Sequence, residues 1–169
     1  ASISYAQTIA PLLQRKCVDC HSDGGIGPFA MSSYRKVKGW SKMIEEVLLT
    51  GRMVPWQADP YHGEFANDFS LTTGEQRQLV RWIRAGAPRG SGPDPLEGYT
   101  PRRVEWALGT PDHIVNIGEQ SIPAEGVIDY RYIYIESPFD RDVWVRAVDV
   151  RPGNTRVLHH VIAWSIARE

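Results

Sequence analysis

Cys17 and Cys20 are the only cysteines in the chain, two residues separate them, and His21 follows at once. The order Cys17-Val18-Asp19-Cys20-His21 reads as a c-type haem attachment site. Two thiols add across the two vinyl groups of the porphyrin, and the adjacent histidine is delivered beneath the iron as proximal ligand. A thioredoxin-like redox pair would need a βαβ context, whereas a helical, polar segment precedes this motif. A four-ligand zinc site would need a second cysteine pair. The motif therefore predicts one haem c, with Cys17, Cys20 and His21 holding it.

A six-coordinate electron-transfer haem takes a second axial ligand, usually methionine or histidine. Met43 falls inside a helical pattern, and Met31 follows His21 by only ten residues, which leaves little chain to reach the opposite haem face. Met53 stands in Gly51-Arg52-Met53-Val54-Pro55-Trp56, where Pro55 stiffens the backbone, so Met53 is the expected distal ligand. His62, in Asp59-Pro60-Tyr61-His62-Gly63, reads as an exposed turn. The proximal histidine also needs a partner that fixes its tautomer. Gly27-Pro28 is positioned to curl a backbone carbonyl toward Nδ1. Trp56, with Trp40 and Trp82, is expected to help bury the cofactor.

Apolar spacing is helical before residue 90. Tyr5, Ile9, Leu12 and Leu13 share one face of a first helix, with Pro11 in its first turn. Val37, Trp40, Ile44, Val47 and Leu48 predict a second helix over about 33–50, stopped by Gly51. Thr72 and Glu75 form a capping-box pattern that opens a third, running through Leu79, Trp82 and Ile83 to Gly86. Ala87-Pro88-Arg89-Gly90-Ser91-Gly92-Pro93-Asp94-Pro95 suits neither helix nor strand, which divides the chain into residues 1–90 and 91–169. Beyond Tyr99, residues 113–117, 128–136, 143–150 and 157–166 are β-rich, separated by turn signals. The fold class expected is α+β: three helices, then an antiparallel β-sandwich that this chain leaves incomplete.

Hydrophobic content of 42% and charged content of 23% are ordinary for a globular protein. Residues 1–90 carry 11 Lys and Arg against 8 Asp and Glu, while residues 91–169 carry 8 against 12. Neither half has the basic stripe of a nucleic-acid binder. No apolar run approaches the roughly 20 residues of a membrane span. Haem attachment takes place outside the cytoplasm in bacteria. The expected location is therefore periplasmic or extracellular; no signal peptide is read at Ala1, so either one was removed or the numbering starts at a mature or engineered end.

Taken together, Cys17 to His21, Gly25-Ile26-Gly27-Pro28-Phe29, Arg52-Met53-Val54-Pro55-Trp56, Phe65-Ala66-Asn67-Asp68 and the stretch from Trp82 to Pro88 resemble a bacterial, secreted class I-type cytochrome c domain. Such domains are common in large secreted proteins of acidobacteria and planctomycetes. There they are often followed by a β-sandwich similar to copper type II, ascorbate-dependent monooxygenases. Residues 151–154 and Leu158-His159-His160-Val161-Ile162 resemble the start of such a sandwich. The resemblance implies His159 and His160 as copper ligands. Two departures stand out. Val54 replaces the first proline of the family's Arg-Met-Pro-Pro-Trp loop, and the third copper histidine and second copper domain are lacking. Neighbouring residues on a strand also point to opposite faces, which opposes joint ligation by His159 and His160.

The function expected is electron transfer through one haem c, with no catalytic residue in this form and no tightly bound copper. The alternative is a haem-fed, copper-dependent oxidoreductase of which this chain is a fragment. Its partner would be a redox protein or a fused downstream domain, with no nucleic acid and no membrane span.

Overall fold

The computed structural model describes residues 3–56, 58–59, 61–65, 68–101, 105–158 and 160–166. Two units are distinguished, Ala1–Arg102 and Arg103–Glu169. Ala66, Asn67 and His159, each part of a motif named above, lie outside the described residues, as does Pro60.

In the first unit a π-helical turn, Tyr5–Ile9, runs directly into α1, Ala10–Lys16. Pro11 sits in the first turn of α1, where its missing N–H costs no helical bond. The turn is capped by Ser4, whose side chain accepts from the Gln7 N–H. Tyr5, Ile9, Leu12 and Leu13 are all buried on the expected face. Each fully buried leucine contributes roughly 1.5–3 kcal/mol relative to exposure.

The predicted second helix is two. α2 spans Tyr34–Gly39 and α3 spans Ser41–Leu49, with the break at Trp40. Gly39 is a weak helix former. Trp40 adopts φ −92° and ψ 1°, and its ring stacks on Phe29 at 4.4 Å. Trp40 therefore turns toward the haem-motif loop and stays 43% exposed, while Val37, Ile44 and Leu48 enter the core.

α4, Thr73–Arg84, opens with both halves of the predicted capping box: Thr72 accepts from the Glu75 N–H, and Glu75 accepts from the Thr72 N–H. Gly86 stops it at φ 84°, in left-handed backbone that suits glycine. α4 packs on α3. Gln76 Nε2 donates to the Leu48 carbonyl at 2.9 Å, and Arg84 Nε meets Glu45 Oε1 at 2.6 Å.

The Pro/Gly-rich segment belongs to this unit. The Tyr5 and Ala6 N–H groups donate to the carbonyls of Pro88 and Arg89, each at 2.9 Å. Asp94 accepts from the Tyr5 hydroxyl at 2.5 Å, the Tyr34 N–H at 2.6 Å and the Leu96 N–H at 3.0 Å. Leu96 is buried in the core with Leu12, Leu79 and Trp82. Residues 88–96 thus form a strap across the start of the first helix.

The second unit corrects the predicted fold class. Among its described residues there is no strand, so there is no β-sandwich. Tyr130, Tyr132 and Tyr134 alternate with Ile133 and Ile135, yet all five are exposed, and Trp144 is fully so. Backbone–backbone hydrogen bonds here include the local pairs Gly109 N–H to Trp106 and Val157 N–H to Asn154. Alternation states which side chains could share a face. A strand also requires a neighbouring strand to complete its hydrogen bonds and a second layer to cover that face. The expected turns survive on their own local chemistry, as where Phe139 N–H donates to Ser137 Oγ. Glu105 pairs with Arg151, whose guanidinium lies 5.8 Å from the Trp106 ring.

Among the described residues no helix is long and apolar enough to cross a membrane.

Candidate haem-attachment site

α1 ends at Lys16 and delivers the motif. The Cys17 and Val18 N–H groups donate back to the Leu13 carbonyl, and His21 N–H donates to the Cys17 carbonyl at 2.9 Å. The thiols of Cys17 and Cys20 are free. Burial, then the neighbouring Cys20 thiol, pushes Cys17 up to about 12; burial and Asp19 also raise Cys20. Thiol–disulfide catalysts need the opposite, a thiol whose pKa is lowered. These two stay protonated near neutrality.

His21 is the buried polar residue of the core region. Its Nδ1 lies 3.0 Å from the Phe29 carbonyl. A carbonyl only accepts, so Nδ1 carries the proton and Nε2 keeps its lone pair for a metal. The orienting carbonyl belongs to Phe29, one residue beyond Pro28. The loop that brings it there is tight: Gly27 N–H donates to the Cys20 carbonyl at 2.8 Å, and Met31 N–H to the His21 carbonyl at 2.7 Å. A Cβ on Gly25 would come within 2.4 Å of the Cys20 oxygen, and one on Gly27 within 2.7 Å of His21 Nδ1. Both positions require glycine for close approach.

Met31 is buried in the core and Met43 is exposed. Met53, 36% exposed, lines a cavity of about 210 Å³ with Leu48, Val54, Trp56, Leu71 and Gln76. Its N–H donates to the Val47 carbonyl at 3.0 Å, which ties the loop to the end of α3. Trp56 stands edge-on to Phe65 at 5.7 Å and to Phe69 at 6.3 Å. Cys17, Cys20 and His21 are not among the residues that line this cavity. His62 sits in the expected exposed turn, its Nδ1 2.9 Å from Asp59.

The donor set fits haem c. Two protonated thiols, an imidazole with a metal-ready Nε2 and a thioether on a stiffened loop are the groups such a cofactor takes. The Ser22 hydroxyl, next to His21, is buried without a hydrogen-bond partner, a polar atom that a further group could satisfy. For copper, His160 lies 5.8 Å from the Tyr130 ring, and no group of three metal-ligating side chains occurs among the described residues.

Two features carried little sequence signal. Asp94 is one residue of a Pro/Gly-rich segment that suits neither helix nor strand, and the Phe29–Trp40 stack joins residues eleven apart. Comparison with protein-family models, curated proteins and solved structures finds no match.

Proposed function

We propose that the first unit is a haem c electron-transfer domain, with thioether links from Cys17 and Cys20 and axial ligation by His21 and Met53. One observation carries the reading: in a C-x-x-C-H motif, the His21 imidazole is buried and held by the Phe29 carbonyl with Nε2 left for iron. The raised thiol pKa values count against a dithiol redox catalyst. When bound, haem supplies a one-electron Fe(II)/Fe(III) couple, and two axial ligands leave no open position for oxygen.

The chain's own residues do the rest. Gly25 and Gly27 let the loop close on the imidazole, Phe29 fixes its tautomer, and Pro55 and Trp56 brace the loop that carries Met53. Attachment of this kind puts maturation outside the cytoplasm, in the periplasm or beyond. The partner is a redox protein or a fused domain.

The test is production with a bacterial c-type maturation system. Haem should stay with the polypeptide through acid–acetone extraction, and Cys17→Ala/Cys20→Ala should release it. The oxidised protein should show the weak sulfur-to-iron band at the red end of its spectrum, lost in Met53→Ala. Extractable haem in the parent chain would defeat the attachment. The same band surviving in Met53→Ala would defeat the ligand assignment alone.

A further inference from the structure

The His21 ring does not end in packed core. It lies 4.8 Å from the Phe29 ring, Phe29 is stacked at 4.4 Å and 11° on Trp40, and Trp40 is 43% exposed. Three rings therefore run in contact from the buried imidazole to solvent. The same residue, Phe29, supplies the carbonyl that fixes Nδ1, so ring and ligand are held in one frame. The Trp40 position is also built in, since it is the break between α2 and α3.

The neighbouring sequence supplies exposed apolar side chains and a surplus of cations. Met43, three residues beyond Trp40, is exposed, as is Ile26 in the loop that leads to Phe29. From Gly24 to Ile44 the chain has four cationic side chains, Arg35, Lys36, Lys38 and Lys42, and no acidic one. Asp23 and Glu45, at the edges of this stretch, lie 3.8 Å from Lys36 and Lys42. Lys38 sits over the Tyr34 ring. An exposed tryptophan in a stretch with a surplus of cations is the chemistry of a hot-spot contact with an acidic rim.

We infer that the Phe29–Trp40 stack is the electron port of the first unit, docking an acidic redox protein on the His21 side. The inference rests on the haem reading above. His21 and Met53 would hold the haem, which would supply a one-electron couple, and Phe29 and Trp40 would carry that electron between it and the partner's redox centre with no bond formed or broken.

The experiment uses the haem-loaded full chain and two probes, hexacyanoferrate(III) as oxidant and redox-inert, paramagnetic hexacyanochromate(III) as a reporter of position. Covalent haem is checked first by its absorbance, and its absence would defeat the parent reading directly. With haem present, hexacyanochromate should broaden the Trp40 indole N–H resonance ahead of the other five tryptophans, and more weakly as salt rises. Trp40→Ala should slow oxidation by hexacyanoferrate about tenfold, equivalent to roughly 1.4 kcal/mol in the barrier. Trp40→Phe should keep the rate, since a ring still stacks on Phe29, and both variants should keep the parent's absorbance and potential. Broadening centred elsewhere, or an unchanged rate in Trp40→Ala, would overturn the port and leave the haem assignment standing. Protection of the Trp40 indole from both probes would overturn it too, by making Trp40 a wall of the haem site.

Discussion

Replacing Gly27 by alanine tests how much of the site depends on one missing methyl group. The added Cβ would stand 2.7 Å from His21 Nδ1, 2.9 Å from His21 Cγ and 2.9 Å from the Cys20 carbonyl oxygen. Ordinary contact begins near 3.4 Å, so something must move by about 0.7 Å. Neither neighbour is free to move. The Cys20 oxygen accepts the Gly27 N–H at 2.8 Å, and the imidazole is held by the Phe29 carbonyl at 3.0 Å. Overpacking of a fixed site costs about 1–3 kcal/mol, and loss of the Nδ1 hydrogen bond would add about 1 kcal/mol. In a domain of this size each kcal/mol lowers Tm by about 4–8 °C. Thermal unfolding of the haem-loaded chain should register that drop. The midpoint potential should rise, because an imidazole that loses its Nδ1 partner is a poorer donor to iron. A stability within about 0.5 kcal/mol of the parent, with an unmoved potential, would refute the idea that the Gly27 backbone is packed against the ligand.

Gly74→Ala is the contrasting case, because its Cβ would meet nothing nearer than Thr72 Oγ1 at 3.8 Å in the first turn of α4. It should raise stability by about 0.4–1 kcal/mol in urea unfolding. Leu96→Ala should cost about 2–5 kcal/mol in the same assay, since Leu96 is 1% exposed. A chain ending near Gly90 should be destabilised further, because it loses Asp94 as well. Burial by itself would raise the pKa of Asp94, but hydrogen bonds from the Tyr34 N–H, the Tyr5 hydroxyl and the Leu96 N–H outweigh it and hold the carboxyl low. Its contribution is therefore present above the ordinary carboxylate range and lost as pH falls below it. Urea midpoints followed down to about pH 3 should drop in the parent and drop less steeply in Asp94→Asn.

Much of the first unit was legible because its signals are local. The Thr72–Glu75 capping box, Pro11 in a first turn and the 3–4 spacing of Tyr5, Ile9, Leu12 and Leu13 each act within a turn or two. The continuous second helix was overestimated for the same reason: periodicity runs through Trp40, and only the distant Phe29 ring reveals why the backbone breaks there. The strap carried no signal of its own, because Pro and Gly state what 88–95 is not, while its anchor is a long-range bond from Tyr5 to Asp94. In the second unit alternation was read as pairing. Side-chain pattern carries no information on which segment supplies the hydrogen bonds, and that half of a sheet is always non-local. Of the site, the motif named Cys17, Cys20 and His21 outright. The orienting carbonyl was found within one residue, and the three-ring path beside it was not legible at all.

The strap has a mechanical meaning. It lies near the end of the first unit, which runs to Arg102, so a pull on the chain from its C-terminal side would load it. The anchor points include the Tyr5, Ala6 and Tyr34 amides, the Tyr5 hydroxyl, the Trp82 indole, Gln7, and Gln14, whose side chain donates to the Pro95 carbonyl at 2.8 Å. Bonds loaded together yield together, whereas bonds opened one at a time peel. The strap is thus placed as a strain relief, like the clamp on a cable, tying the end of the first unit back to the helix that leads into Cys17 and His21.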